Sequence, residues 1–168
     1  MAQHREILTW EEVDSLIDHL IPQFKTEFDA IVIVTRGGIV PGGLLAEALD
    51  IKDVLTASVD FPSEARQREA KLLAWPQFIQ FPEDAQLSER RLLVVDDVWG
   101  SGRTIKAVKN RVVAAGGFPL TCVLHYNPHR SLFGPAEPDY YAAITDAYII
   151  YPWEVDRGSD KVLLDEPD

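Results

Sequence analysis

Cysteine is almost missing from this chain of 168 residues. Cys122 stands alone, which excludes an internal disulfide and points to a reducing compartment. No apolar run approaches the length of roughly 20 residues that spans a bilayer. The start, MAQHREIL, lacks the long apolar core of a signal peptide. A cytoplasmic protein with no membrane partner is expected. Basic charge is also scarce: 16 Lys and Arg stand against 27 Asp and Glu, a formal net charge of −11. A general nucleic-acid surface needs a basic patch, so nucleic acid is not an expected partner. Any anionic substrate must be held by local devices: loop amides, a few arginines and a metal. The histidines, His4, His19, His125 and His129, show no metal-site spacing. Internal repeats and linkers are missing, and the length fits one domain, 1–168, with a core that needs no staples.

What is present is organised around Leu92 to Thr104, LLVVDDVWGSGRT. Leu92-Leu93-Val94-Val95 is the short, wholly apolar run of a strand buried on both faces. It runs into Asp96 and Asp97, then into the small-residue turn Gly100-Ser101-Gly102. Thr104 opens a stretch of helical periodicity in which Ile105, Val108, Val112 and Ala115 share a face and Gly116-Gly117 supplies the stop. Glycines let backbone approach a phosphate, and helix-start amides point at it with the positive end of the dipole. Two adjacent carboxylates repel a phosphate, but they accept hydrogen bonds from sugar hydroxyls or hold a divalent cation. The pattern predicts a sugar phosphate bound with a metal at the carboxyl end of a strand.

A second loop repeats this logic. Ala30-Ile31-Val32-Ile33-Val34 reads as another buried strand and empties into Thr35-Arg36-Gly37-Gly38-Ile39-Val40-Pro41-Gly42-Gly43, with a short helix from Leu44 to Leu49. Arg36 beside two glycines suits a pyrophosphate: charge from the guanidinium, close approach from the backbone. A tight strand-to-helix turn with a solvated arginine would read the same way. Elsewhere, Thr9 and Glu12 form a capping box before an apolar helical stripe, and Pro22 kinks or ends that helix. Asp53–Asp60, Leu120–Tyr126, Tyr140–Ala143 and Ala147–Tyr151 read as strands. The stretch from Phe61 to Arg91 is long and mixed, with an apolar portion, Leu72 to Phe81, that packs, in part against a second subunit. Cys122 and His125 read as packed core residues rather than as nucleophile and ligand. Strand–helix alternation with loops at successive carboxyl ends gives an α/β fold, a mostly parallel twisted sheet flanked by helices.

The stretch Leu92–Thr104 resembles the 5-phosphoribosyl 1-pyrophosphate (PRPP) motif of type I phosphoribosyltransferases. TRGGIVPGG resembles the pyrophosphate loop of bacterial xanthine-guanine and related 6-oxopurine members, in which the peptide at this Arg-Gly position is often cis. The resemblance spans about Ile31 to Glu154. It implies the type I fold with a small hood, a lid at about 61–91 and a base-binding part at about 127–157. It implies transfer of the ribosyl phosphate of PRPP to a nucleobase, a purine such as hypoxanthine, guanine or xanthine, with release of pyrophosphate, in nucleotide salvage by a homodimer or homotetramer. Asp96 and Asp97 would bind the ribose hydroxyls and, with Glu154, the magnesium ion. Gly100, Ser101, Gly102, Arg103 and Thr104 would cradle the 5′-phosphate. Arg36, Gly37 and Gly38 would hold the pyrophosphate, with Arg68 of a lid-like Gln67-Arg68-Glu69 as a clamp. Tyr148 would stack on the base, and Ile149 would read its edge through the backbone.

Two positions depart from the pattern. The family usually has Asp, the proposed proton acceptor for the purine, where this chain has Gly100. It usually has Lys before Pro, for the purine 6-oxo group, where this chain has Asn127-Pro128. Both changes fall on the base side, and the PRPP side is intact. Two other readings follow: the same reaction on a different base, or a non-catalytic sensor of PRPP or nucleotide on the same fold.

Overall fold

The computed structural model describes residues 4–61 and 75–155. Their elements are β1 (Arg5–Ile7), α1 (Trp10–Leu20), β2 (Ala30–Val34), α2 (Ile39–Ala48), β3 (Val54–Asp60), β4 (Gln77–Gln80) and α3 (Asp84–Leu87). There follow β5 (Arg91–Val95), β6 (Val98–Trp99), α4 (Arg103–Ala114), β7 (Phe118–Tyr126), β8 (Tyr140–Ile144), β9 (Tyr148–Ile150) and α5 (Pro152–Val155). The main sheet runs β4-β3-β2-β5-β7, with β6 and β8 both on β7, and only the β3–β4 pair is antiparallel. A separate parallel pair, β1 and β9, forms the small hood.

Alternation in the central strands builds two cores, because successive side chains point to opposite faces. Ile31 and Ile33 of β2 and Leu93 and Val95 of β5 pack with Val13, Ile17 and Leu20 of α1 and Leu45 of α2. Val32, Val34, Leu92 and Val94 face the other way, onto Ile105, Val108 and Val112 of α4. A strand covered on both sides must be apolar at every position, and that is why AIVIV and LLVV carry no polar residue.

Chain order reverses at one place in this sheet. From β2 the chain steps outward to β3, and from β5 it steps the opposite way to β7 and β8. The carboxyl ends of β2 and β5 therefore flank the switch point, where open α/β sheets form their ligand crevice. Both candidate loops leave the sheet there.

Several elements differ from the expectations. Helix α2 begins at Ile39, not Leu44, so half of the glycine-rich run is helical. Pro41 is compatible because it lies in the first turn, where the backbone N–H has no intrahelical partner. Asp96 and Asp97 do not end their strand in a turn. Val95 pairs with Cys122 and Val98 with His125, so the register is unchanged across the carboxylates and β6 continues along β7. Within the expected lid, β4 and α3 are ordinary elements, and Phe78 packs edge-on to Phe81 at 5.0 Å. Pro22 falls in a single 3-10 turn after α1, as its ring requires, and the Thr9–Glu12 capping box is closed in both directions.

Leu93, 0% exposed, has core partners on β2 and α1. Leu93→Ala is expected to cost about 2–5 kcal/mol by loss of burial plus cavity formation. Leu44→Ala, on the exposed side of α2, should change stability by less than about 1 kcal/mol. Urea unfolding of the two variants checks the ordering.

Candidate functional site

The carboxylate pair is held from beneath by backbone. Asp96 N–H donates to the Cys122 carbonyl at 3.1 Å. The Asp97 carbonyl accepts from Leu124 N–H at 2.9 Å, from His125 N–H at 3.2 Å and from the Tyr151 hydroxyl at 3.1 Å. Since that hydroxyl spends its proton on Asp97, His125, 2.8 Å away through Nδ1, donates to the tyrosine oxygen. Above this frame Asp97 N–H donates to Asp96 Oδ1 at 2.9 Å and Val98 N–H to Asp97 Oδ1 at 2.7 Å. Burial, then the neighbouring Asp97 charge, raises the Asp96 carboxyl well above its ordinary range. Burial raises Asp97 too. Glu154 accepts from Tyr151 N–H at 2.7 Å and is raised by burial and by the Asp97 charge. Three acids thus crowd one place, where their ionised forms are disfavoured until a cation arrives.

The arginine loop packs directly on this cluster. A β-carbon added to Gly37 would lie 2.5 Å from the Asp97 carboxyl carbon. One added to Gly38 would strike the carbonyls of Val34 and Val95, the last residues of the two adjoining strands. Glycine at both positions is thus a packing requirement. The cis peptide lies between Thr35 and Arg36, one bond earlier than the Arg36–Gly37 position expected. Thr35 N–H is tied to the Ala57 carbonyl at 2.9 Å, and the Arg36 side chain is exposed.

The third part is the turn into α4. Gly102 has φ +82, and a β-carbon there would collide with the indole of Trp99. Trp99, 2% exposed, donates through Nε1 to Ser131 Oγ at 3.3 Å. Gly102, at the N-cap of α4, has no side chain to cap it. Ser101 Oγ accepts from Arg103 N–H at 3.3 Å. Gly100 to Thr104 therefore present a helix start, with nearby hydroxyls, to whatever lies above it. The Arg103 guanidinium is turned aside and stacks over Phe61, 4.2 Å from the ring centre.

On the base side, β9 pairs with β1 through Tyr148 N–H to His4 O at 2.8 Å and Leu8 N–H to Ile150 O at 2.9 Å. In a parallel ladder the residue between uses its amide and carbonyl on the other edge, so Ile149 presents both away from β1. Asn127, expected at the base as an amide donor, has its oxygen committed to its own turn. It is 2% exposed, and its Oδ1 accepts from His129 N–H at 3.1 Å, so the side chain shapes its own turn. Arg68 lies outside the described residues.

Two residues near the site escaped the sequence, Tyr151 and Arg130, while His125 is the packed, hydrogen-bonded histidine expected. Tyr151 and His125 fix the Asp97 backbone, and Tyr151 stacks on Trp153 with centroids 4.5 Å apart. Arg130 lies beside Gly100. Tyr151 had a signal, the alternation of YIIYPWE out of β9. Arg130 had none, because its place depends on how a loop folds back.

Among the described residues, no cluster of three or more His, Cys, Asp or Glu is arranged to hold a metal by itself. Two hard carboxylates, Asp97 and Glu154, fit magnesium, which takes one or two protein carboxylates and fills its octahedron with water and substrate phosphate. Among the same residues no helix is long and apolar enough to cross a membrane.

The phosphoribosyl transferase domain family matches residues 4–146. A purine phosphoribosyltransferase from Pyrococcus horikoshii Ot3 is 29% identical, with 89% of this chain and 94% of that one covered at a TM-score of 0.75. A xanthine-guanine-hypoxanthine phosphoribosyltransferase from Helicobacter pylori is 19% identical over 95% and 99%, TM-score 0.75. A Neisseria gonorrhoeae protein with bound ppGpp is 20% identical over 92% of each chain, TM-score 0.73. At these last identities the likeness is one of fold.

Two outcomes follow from the buried charges. Asp96→Asn removes the most disfavoured carboxylate at constant size. It is expected to raise the thermal midpoint of the metal-free protein by about 2–4 °C, the shift that about 1 kcal/mol produces at this length. Magnesium should raise that midpoint less in the variant than in the parent; scanning calorimetry with and without the ion reads both effects. Burial lowers the His125 pKa to about 4. Its neutral form is thus favoured in the fold, and the unfolded chain binds the proton first. Stability from this group is complete above about pH 6.5 and is lost as pH falls toward 4, by up to about 3 kcal/mol. In urea unfolding at pH 7.5, 5.5 and 4.5, His125→Gln should show a shallower slope than the parent.

Proposed function

The chain belongs to the phosphoribosyl transferase domain family and is a PRPP-dependent glycosyltransferase. From that premise we propose that it moves the 5-phosphoribosyl group of PRPP onto a purine in salvage, giving a nucleoside monophosphate and pyrophosphate. The observation that carries the reading is the packing of Gly37 on the Asp97 carboxyl. It sets the Arg36 loop beside the acid pair, which supports one ligand that carries both a pyrophosphate and a ribose. The purine reading draws further support from the Pyrococcus relative, whose name specifies purine.

Each residue has a role in this reading. Gly100 to Thr104 hold the 5′-phosphate with amides and with the Ser101 and Thr104 hydroxyls. Asp96 and Asp97 accept hydrogen bonds from the ribose hydroxyls, which are drawn closer as positive charge develops on the ring in an oxocarbenium-like transition state. Arg36 supplies positive charge to the departing pyrophosphate, with Gly37 and Gly38 letting the backbone approach and Arg68 as a further clamp. Asp97 and Glu154 would hold a magnesium ion, which would supply positive charge to offset that of the pyrophosphate. Tyr148 stacks on the base, and the Ile149 amide and carbonyl read its edge. Asn127 contributes through its turn. The exposed Ile79 of edge strand β4, 68% accessible, and Trp75 just before it, 85%, support a homodimer or homotetramer. The acidic charge supports an enzyme with no nucleic-acid partner, and the single cysteine suits the reducing cytoplasm.

Pyrophosphate release should be followed with PRPP, magnesium and free purines and pyrimidines supplied one at a time. Release with a purine is the expected result, and Asp96→Asn with Asp97→Asn should lower kcat/KM by at least about 100-fold. Silence across the panel, with PRPP still bound in calorimetry, would replace the transferase reading with that of a sensor. Unchanged PRPP affinity in the double variant would remove the assignment of the acid pair.

A further inference from the structure

Tyr151 touches both of the acids assigned to magnesium, and it does so with two different groups. Its hydroxyl donates to the Asp97 carbonyl at 3.1 Å, and its backbone N–H donates to Glu154 Oε2 at 2.7 Å. Asp97 follows β5 and Glu154 lies in α5, so nothing local fixes the separation of their carboxylates. The other two donors on the Asp97 carbonyl, the Leu124 and His125 amides, tie it to β7. Only the Tyr151 hydroxyl reaches it from the segment that carries Glu154. The Asp97 carboxylate moves with its own backbone, because its Oδ1 is bound by Val98 N–H at 2.7 Å. Tyr151 is itself fixed. Its side chain is 1% exposed and stacks on Trp153 with planes 3° apart, and Trp153 meets Trp10 at the start of α1 at 6.1 Å. His125 Nδ1 lies 2.8 Å from the hydroxyl, and the preceding residue, Ile150, is tied to Leu8 beside the hood.

We infer that Tyr151 is a positioning residue for the metal-bound substrate: it spaces Asp97 and Glu154 so that both can meet one magnesium ion. This rests on the reading that those two acids hold the ion with PRPP, and it adds the group that sets their separation. Magnesium demands near-ideal octahedral geometry and is held by few protein carboxylates, so a small error in their spacing is felt in affinity. Groups that do not touch a metal but orient its ligands matter nearly as much as the ligands. A phenol suits the task. It is neutral, so it adds no charge to a place where three acids already crowd, and its ring gives the rigid reach that a serine or threonine lacks. Burial, and then the charges of Asp97, Asp96 and Glu154, raise its pKa well above the ordinary range, so the hydroxyl remains a donor. The same residue follows β9, whose Tyr148 and Ile149 are proposed to hold the base. The segment that reads the base thus continues directly into the one that spaces the acids.

The test separates positioning from packing with two variants of the whole chain. Tyr151→Phe keeps the ring, its stack and the backbone amide, and removes one oxygen. It also leaves the buried His125 donor unpaired, so it should lower the thermal midpoint. Adding His125→Leu removes donor and acceptor together and should regain much of that loss; if the single variant does not fold, the double variant decides alone. PRPP binding is measured by titration calorimetry over a series of magnesium concentrations. In both variants the magnesium concentration for half-maximal PRPP binding should rise about 10-fold over the parent, the effect of losing a hydrogen bond that orients a metal ligand. A magnesium requirement that returns to the parent's value in the double variant, along with the thermal midpoint, would overturn the inference and leave Tyr151 a packing residue. A requirement unchanged in both variants would overturn it as well. A parent that binds PRPP equally with and without magnesium, or does not bind it, would overturn it together with the reading on which it rests.

Discussion

The Asp97 carboxyl rests against Gly37, with no room for even a methyl group between them. The contact joins two loops far apart in the chain, and it exists only because β2 and β5 are neighbours in parallel register, Ile33 opposite Val95. That register is specified by the cores. A shift of one residue would turn every β5 side chain to the other face and set Leu93 and Val95 against α4 in place of α1. The placing of the acids thus depends on apolar residues that never touch a ligand. Gly38 tightens the same joint, because it lies against the carbonyls that end both strands.

Holding acids there works against stability. Asp96 and Asp97 are raised by burial, and Asp96 further by its neighbour, so the metal-free fold carries charges it would hold more comfortably as neutral groups. The structure answers with backbone. Three donors converge on the Asp97 carbonyl, and one of them, the Tyr151 hydroxyl, is itself held by a histidine that burial keeps neutral. Rigid backbone under disfavoured side chains is a preorganised site: the cost is met in folding, and bound cation and substrate then relieve it. The overall charge of −11 makes this arrangement selective as well. Anions are not drawn to such a surface in general, so those that bind must be recognised group by group.

Much of this was legible in the sequence, and the reason is local. AIVIV and LLVV read as buried strands because both faces of each are covered, and Thr9 with Glu12 marked a helix start by its own hydrogen bonds. The acid pair and the glycine turns were legible because their chemistry depends on neighbours in sequence. Where pairing decided the outcome, pattern said little. β1 has three residues and β6 two, too few to show a period, and both exist because a distant strand lies beside them. The start of α2 was hidden by Pro41 and two glycines, residues that discourage helix in general but are tolerated in a first turn. Asn127 matched a base-binding position in sequence, yet the turn it builds occupies its oxygen. Tyr151 and Arg130 meet their partners 54 and 30 residues away, and only Tyr151 had a local signal.

The two halves of the site therefore stand on different footings. The PRPP half is made of short segments that each carry their own geometry, and they agree with one another in space as they do in sequence. The base half is made by a loop that returns. Its departures, Gly100 and Asn127, look in sequence like two losses. In the fold they are one rearrangement. Asn127 lends its oxygen to the turn, and that turn brings Arg130 beside Gly100. A β-carbon at position 100 would meet that guanidinium at ordinary contact distance, 3.9 Å, so the loop and the turn are neighbours in space.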